Sequence, residues 1–304
     1  MQNKEFHVPV LLEEVLQGLQ IIACGTYVDC TLGGGGHSRA ILESLDPKGN
    51  LVVFDQDQQT RNNIPDDSRL IFIPHNFRHL KRFLRHHKIA HVNGILADLG
   101  VSSHQIDVPE RGFSTRFDGP LDMRMDQRQS LTAAEILKTY PEEKLHSLFE
   151  QYGEVTNSRT VARAIIQQRN NTVMNNVSEF KNALYSVVMG NPNKYFAQLF
   201  QALRIEVNDE FGALKEMLGQ VADVLLPGGR IVIITFHSLE DRIVKNFFKN
   251  GSFNEIETDE IYGLKQKNPF TIITKKPITA TDAEIKRNPR ARSAKLRIAE
   301  RSIN

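Results

Sequence analysis

The stretch YVDCTLGGGGHS, residues 27–38, decides the fold class, because it joins a short apolar run to a helical pattern through four consecutive glycines. Glycines at such a junction let the backbone approach a ligand closely, and the N-terminus of the following helix favours negative charge. A dinucleotide fingerprint requires G-x-G-x-x-G, yet Ser38 occupies the third glycine position counted from Gly33. The loop therefore predicts a ligand site and disfavours a dehydrogenase.

The first hundred residues alternate short apolar runs with helical patterns. Besides residues 27–30, the runs are 51–54, 70–73 and 94–97, with helical patterns at 38–45 and 77–88. Such alternation predicts βαβ units and a parallel sheet. Ligands bind beyond the carboxyl ends of parallel strands, where Asp55 and Asp98 stand in this chain. An acid in the place of Asp55 accepts hydrogen bonds from a ribose, whether it belongs to NAD or to S-adenosylmethionine.

The alternation stops after residue 100 and returns near the C-terminus. Residues 101–129 form a long loop rich in Gly, Pro, Asp and Ser, and helical patterns then follow, the last of them from Tyr195 into the 220s. Strand patterns reappear at 230–235, 270–274 and 294–298. We therefore predict one α/β domain, formed by residues 1–105 and 220–304, that is interrupted by a loop and helical insertion at 106–219.

Composition is that of a globular protein with a net charge of only +2. No apolar run approaches the roughly 20 residues of a membrane span, and the first residues lack a signal-peptide layout. The two cysteines are too few for a disulfide framework or a structural zinc site. We expect a cytoplasmic protein without membrane contact or a required metal. Residues 275–304 nevertheless carry nine Lys/Arg against three acids, which is typical of either a phosphate-binding patch or solvated helix faces.

Seven motifs, in order along the chain, resemble the RsmH (MraW) family of 16S rRNA (cytosine(1402)-N4)-methyltransferases. They are HVPVLLEE (7–14), DCTLGGGGHS (29–38), ADLGVSS (97–103), ERGFS (110–114), GPLDMRMD (119–126), TFHSLEDR (235–242) and NPRARSAKLRIAER (288–301). The resemblance implies a Rossmann-like class I S-adenosylmethionine-dependent methyltransferase sheet with an inserted all-helical domain. It also implies methylation of a cytosine in 16S rRNA, within an assembled 30S subunit.

Site residues follow from the same resemblance. It implies that S-adenosylmethionine contacts the glycine loop and the strand ends; the implied ligands are Gly35, Gly36, His37, Asp55, Phe77, Asp98 and Gln105. Without the resemblance, Phe77 would be assigned to the apolar face of a helix. For catalysis, Asp98 or an adjacent backbone carbonyl is a candidate acceptor for a hydrogen of the cytosine amine. The cysteines are not placed for the covalent catalysis that C5 methylation would need.

RNA contacts are expected from basic residues in the long loop and the tail: Arg124, Arg290, Arg292 and Arg297. An internal salt bridge between Arg124 and Asp122 is an equal alternative. His237 and Glu240 either line the pocket or cap a helix.

A DNA aminomethyltransferase would be expected to carry a proline-proline-aromatic motif near Gly100. A non-enzymatic assembly factor would not need the four residues Gly35, Gly36, Asp55 and Asp98. The oligomeric state stays open.

Overall fold

The computed structural model describes residues 9–169, 173–253 and 267–303. His7 and Val8 of the first motif lie outside these residues. The chain divides into two compact units. Unit 1 comprises residues 1–100 and 212–304, and unit 2 comprises residues 101–211. The sequence interpretation places the boundaries at 105 and 219 instead, which are five and eight residues later in the chain.

Unit 1 contains a seven-stranded sheet in the order β3-β2-β1-β4-β5-β7-β6. The strands are β1 Thr26–Asp29, β2 Asn50–Phe54, β3 Leu70–Ile73, β4 Val92–Asp98, β5 Leu225–Thr235, β6 Phe270–Ile272 and β7 Lys295–Arg301. The first five are paired in parallel, whereas β7 is antiparallel to both β5 and β6. This arrangement confirms the predicted Rossmann-like α/β class. The reversed direction of β7 is a feature that the parallel βαβ pattern did not predict.

Two apolar layers cover the sheet, because successive residues of a strand point to opposite faces. Val28, Val52 and Ile95 belong to one layer, and their neighbours Tyr27, Leu51 and Leu96 belong to the other. The first layer includes residues of α3 Leu80–His86, α10 Glu210–Val224 and α11 Ser238–Asn250. The second includes residues of α1 Leu12–Leu19 and α2 Gly36–Glu43. Two covered faces explain the continuous apolar strand runs of the sequence.

The C-terminal tail also contributes to the second layer. Helix α12 Asp282–Arg287 is followed by a 3-10 turn, Pro289–Ser293, and then by β7. Ala291 and Ala294 of this segment are buried in the second layer. The tail motif is therefore part of the folded sheet domain, not a detached basic arm.

Unit 2 is helical, as the sequence predicts. Its helices are α4 Ser103–Asp107, α5 Ala133–Thr139, α6 Glu142–Gln151, α7 Ser158–Gln168, α8 Val177–Leu184 and α9 Pro192–Asn208. Helices α5 to α9 share one apolar core that also includes Leu121 and Met123 of the long loop. The Asn208 side chain accepts from the Met125 amide at 2.7 Å and donates to the Met123 carbonyl at 2.8 Å. The loop segment around residue 123 is thus fixed by packing and by hydrogen bonds.

One helical prediction differs in its details. The sequence pattern from Tyr195 into the 220s suggested one helix, whereas the chain forms α9 and α10 with Asp209 between them in a left-handed conformation. The second helix packs against the sheet of unit 1, which places the return to unit 1 at residue 212 rather than near 220. Across the described residues, no helix has the length and apolarity of a membrane span.

Candidate functional site

The glycine loop connects β1 to α2 at the carboxyl edge of the sheet. Gly33 and Gly35 have φ values of +49° and +76°, a region that L side chains rarely adopt. A Cβ at Gly35 would lie 2.6 Å from the Asn63 carbonyl oxygen, whereas a Cβ at Gly33 would meet nothing within 4 Å. Position 35 therefore requires a glycine, because any Cβ there would clash with the backbone, whereas Gly33 borders open space.

Asp29, at the end of β1, is fully buried and organises this loop. Its carboxylate accepts from the Ser38 hydroxyl at 2.6 Å and from the Thr31 amide at 3.0 Å. The Thr31 hydroxyl in turn accepts from the Asp98 amide at 2.8 Å, which links β1 to the end of β4. The sequence interpretation gave Asp29 no role, because its contact with Ser38 exists only in the folded turn.

Asp55 follows β2 and faces the glycine loop. Its two carboxylate oxygens accept from the amides of Gly33 and Asp57, at 2.9 and 2.8 Å. Each oxygen has a second lone pair, so that the group can still accept hydrogen bonds from a ligand hydroxyl. This geometry is compatible with the ribose contact that we predicted for Asp55.

Asp98 ends β4 beside the buried His37. The His37 Nδ1 atom lies 3.7 Å from an Asp98 carboxyl oxygen, and His37 Nε2 lies 3.0 Å from the Val10 carbonyl oxygen. A carbonyl can only accept, so Nε2 carries the proton and Nδ1 presents its lone pair towards Asp98. Burial lowers the pKa of His37 to about 4, which makes the ring neutral near pH 7. The contact is therefore not an ion pair.

The strand-end acids are unusual because burial raises the pKa of each. The pKa of Asp29 rises to about 6 and that of Asp55 to about 7. Desolvation, followed by the charges of Asp29 and Glu240, raises the pKa of Asp98 to about 8. Among the described residues, no Lys or Arg forms an ion pair with any of the three, and one carboxyl oxygen of Asp98 has no hydrogen-bond partner. This edge of the sheet is thus prepared for a positively charged ligand.

His237 and Glu240 stand beyond β5, the strand next to β4. Glu240 is buried and accepts from the Phe236 amide at 2.9 Å, and the two side chains form a capping box at the start of α11. The charge of Glu240 also contributes to the raised pKa of Asp98. Of the two roles that the sequence left open, the structure shows helix capping, and pocket lining by His237 and Glu240 stays a prediction.

Two other predicted cofactor residues have structural contacts within their own units. Phe77 begins the 3-10 turn that precedes α3, is partly buried and packs against the first apolar layer. Gln105 of unit 2 is buried, and its side chain accepts from the Ser102 amide at 3.0 Å in the capping box of α4. Contacts of either residue with a cofactor remain predictions.

The four arginines predicted to bind RNA occupy different environments. Arg297 is buried and forms a two-pronged pair with Asp241, with N–O distances of 2.6 and 3.1 Å. Arg124 forms a similar pair with Asp122, at 2.9 and 2.7 Å, which is the alternative that the sequence left open. Arg290 is partly buried and Arg292 is exposed. Of the four, Arg292 presents the most accessible charge to a phosphate.

The residues at the carboxyl edge fit S-adenosylmethionine. Its sulfonium and ammonium groups are cations, its ribose offers hydroxyl donors, and its adenine is flat and apolar. The unpaired Asp98 oxygen suits a cation or a donor, and the free lone pairs of Asp55 suit ribose hydroxyls. Open space beside Gly33 leaves room for a ligand next to Asp55. When bound, the cofactor supplies an electrophilic methyl group.

Comparisons with known proteins show which family the sequence resembles. A sequence profile described as the MraW methylase family matches residues 4–302. A ribosomal RNA small subunit methyltransferase H of Bacteroides thetaiotaomicron is 52% identical over 297 residues, which is 97% of each chain. Its counterpart in Cytophaga hutchinsonii is 51% identical, over 97% of this chain and 99% of the relative. A solved rRNA methylase from Streptococcus thermophilus aligns over 96% of this chain and 93% of its own, with TM-score 0.38 and 12% identity.

The sheet and its glycine loop define a class I S-adenosylmethionine-dependent methyltransferase. Within that class, the full-length profile match and the relatives near 50% identity are decisive. The chain belongs to the MraW methylase family.

Proposed function

We propose that the chain methylates the exocyclic N4 of a cytosine in 16S rRNA, at the position numbered 1402 in the family with which its motifs agree. The observation that carries the proposal is Asp98, a carboxyl group at the end of β4 with an unpartnered oxygen and a pKa raised to about 8. The relatives near 50% identity are named small-subunit rRNA methyltransferases, which supports ribosomal RNA as the substrate class.

The chemical problem is the weak nucleophilicity of a cytosine amine, whose lone pair is delocalised into the ring. Alignment of the nitrogen with the methyl group supplies much of the acceleration, because it replaces a bimolecular encounter by a fixed geometry. An acceptor for one amine hydrogen lets the nitrogen rehybridise as the new bond forms. In our proposal Asp98 or an adjacent backbone carbonyl is that acceptor, and no covalent enzyme intermediate is needed.

The ionisation of Asp98 is coupled to this role. Near pH 7 a carboxyl group with a pKa of about 8 is mostly protonated in the unliganded protein, whereas a nearby cation favours the carboxylate. The carboxylate is the better acceptor for the amine hydrogen. The neutral His37 beside it adds no competing positive charge.

The target base has to leave its stack to reach such a site, which favours loops of RNA over regular duplex. In the tail, the exposed Arg292 and its exposed neighbours Lys286 and Arg287 are the proposed phosphate contacts. Unit 2 is proposed to recognise the shape of the substrate. We also propose that the base is presented within an assembled 30S particle, and therefore that the protein acts in the cytoplasm on the small subunit.

The test is methyl transfer from labelled S-adenosylmethionine to small subunits that lack the modification, followed by nuclease digestion and nucleoside mass spectrometry. We expect the label in N4-methylcytidine. Label in another nucleoside would support methyltransferase activity but reject cytosine N4 as the target. Absence of label, with cofactor binding intact by calorimetry, would favour the non-enzymatic assembly factor. Parallel reactions with deproteinised 16S rRNA establish whether the assembled particle is required.

A further inference from the structure

A second basic region lies between β3 and β4, far from the tail along the sequence. The chain has no Asp or Glu between Asp67 and Asp98, but it has six Lys/Arg in that interval. Five of the six fall within residues 78–88, around α3. A one-sided charge pattern of this kind on a protein of net charge +2 concentrates a positive field at one surface.

The structure separates these cations into two groups. Lys81 pairs with Asp223 of α10 at 2.5 Å, and Arg78 pairs with Glu216 of the same helix at 3.1 Å. These pairs link α3 and the turn that precedes it to α10. In contrast, Arg82, Arg85 and Lys88 are exposed, and in the described part of the chain none of the three forms an ion pair.

Two of the three exposed cations share one face of α3. Arg82 and Arg85 are three residues apart on α3, so they project from the same helix face, roughly 4.5 Å apart along the axis. Lys88 follows one step further, just after the helix ends. The nearby acids Asp223 and Glu216 are already neutralised by Lys81 and Arg78. The surface therefore retains positive charge that no internal acid compensates.

The surface is concave as well as basic. A groove with a volume of about 780 Å³ is lined by Lys81, Arg82, Phe83, Arg85, His86 and Gln220. Hydrogen bonds hold the lining residue Gln220 in place, because its side chain accepts from the Lys81 amide at 2.9 Å and donates to the Arg78 carbonyl at 2.6 Å. An open groove with cations on its wall suits an extended polyanion better than a small anion.

The groove and the tail lie on different faces of the sheet. Leu80 and Leu84 of α3 belong to the first apolar layer, whereas Ala291 and Ala294 of the tail belong to the second. The two basic regions therefore cannot form one continuous patch on a single face. A substrate that engages both has to be large enough to reach around the edge of the sheet, as a folded ribosomal RNA is.

We propose that the groove along α3, which is lined by Arg82 and Arg85 and followed in the chain by the exposed Lys88, is a second docking surface for the phosphate backbone of structured RNA. This inference rests on the proposed function for the identity of the RNA. It adds a contact on the sheet domain that is separate from the strand-end site and from the tail. Such contacts position the substrate and set the salt dependence of binding, without reading sequence.

The test uses the full chain with the double substitution Arg82→Gln/Arg85→Gln. Each lost phosphate contact reduces the slope of log K against log salt by about 0.9, so we expect the slope to fall by about 2. Affinity for unmodified small subunits and for deproteinised 16S rRNA should fall about tenfold near 0.1 M salt. Cofactor affinity by calorimetry and the thermal midpoint should not change, because neither arginine supports the strand-end site or the core.

Lys245→Gln/Lys249→Gln is the matched control. It removes the same charge from exposed positions of α11, and we expect affinity within twofold of the unsubstituted protein. An unchanged affinity and slope in the Arg82/Arg85 variant, or an equal loss in the control, would overturn the proposal. A loss seen with assembled subunits but not with deproteinised RNA would also overturn it, and would indicate a ribosomal protein. These binding results are independent of methyl transfer, so they are distinguishable from a failure of the proposed reaction.

Discussion

Charged side chains are used in opposite ways at the carboxyl edge of the sheet and in the two motifs that contain Arg124 and Arg297. At the edge, Asp29, Asp55 and Asp98 are held without an ion-paired Lys or Arg among the described residues, and the pKa of each is raised. In the motifs, Arg297 and Arg124 each have an acid that meets them with two hydrogen bonds.

This contrast distinguishes charged groups that serve ligand binding from charged groups that stabilise the fold. A charge that is buried without compensation costs stability, and it persists where a ligand supplies the missing partner. A charge that is matched inside the protein stabilises the fold and has little left to offer a ligand. Arginines that appear to be RNA ligands in the sequence therefore need to be checked for internal acids before they are assigned.

The largest effect is expected from breaking the buried pair of the tail. Arg297→Met leaves Asp241 in a mostly buried position without its main partner, and such losses cost about 3–5 kcal/mol of unfolding free energy. Lys295→Met is the control, because Lys295 is more exposed and lies 3.8 Å from the same carboxylate. We expect it to cost less than about 1 kcal/mol. Denaturant titration measures both, and equal losses in the two variants would contradict a structural role for Arg297.

The next effect concerns the uncompensated edge. Asp98→Asn cannot ionise, so we expect turnover at saturating cofactor and RNA to fall about 100-fold, or about 2.7 kcal/mol in activation free energy. The same variant should be more stable than the unsubstituted protein at pH 8–9 without cofactor. The sign follows because a raised pKa means that the folded state holds its proton more tightly, so stability is lost as pH rises from about 4 through about 8.

Glu13→Gln, at an exposed position of α1, is the control for the Asp98 variant and should leave both properties unchanged. Single-turnover assays measure the catalytic effect, and thermal melts from pH 5 to 9 measure the stability. Full turnover in Asp98→Asn would leave a backbone carbonyl as the acceptor and remove Asp98 from catalysis.

The smallest effect is expected at Arg124. Its guanidinium donates to both Asp122 oxygens and to the carbonyls of Gln127 and Gln129, so Arg124→Gln should lower the free energy of unfolding by about 1–2 kcal/mol. The RNA affinity of the folded protein should remain within twofold. A tenfold loss of RNA affinity without a loss of stability would place Arg124 in the RNA interface.

Local patterns were sufficient for most of the fold. The apolar runs ending at Asp55 and Asp98 predicted two strands that meet at one edge, because parallel strands place their carboxyl ends together. The helical rhythm after residue 130 predicted unit 2. The break between α9 and α10 was missed, because the apolar pattern continues through Asp209 and no glycine or proline marks the turn.

Long-range partners explain what the sequence could not predict at the sites. Asp241 stands 56 residues before Arg297, so no local spacing reveals their pair. Asp29 supports the glycine loop through Ser38, a contact that only the folded turn creates. The influence of Glu240 on Asp98 likewise depends on β4 and β5 being neighbours in the sheet. By contrast, the Arg124 and Asp122 pair is two residues apart, and the sequence did suggest it.

The most direct measurement of the account compares S-adenosylmethionine with S-adenosylhomocysteine, which lacks the methyl group and the positive charge on sulfur. Calorimetric titrations at pH 7, in two buffers of different ionisation enthalpy, give the number of protons released on binding. We expect the sulfonium ligand to release more protons than the neutral thioether, and its affinity to rise more steeply between pH 6 and 8, by up to tenfold per pH unit per proton released. Equal proton release and parallel pH profiles would contradict the claim that a cationic ligand supplies the missing partner of the strand-end carboxyl groups.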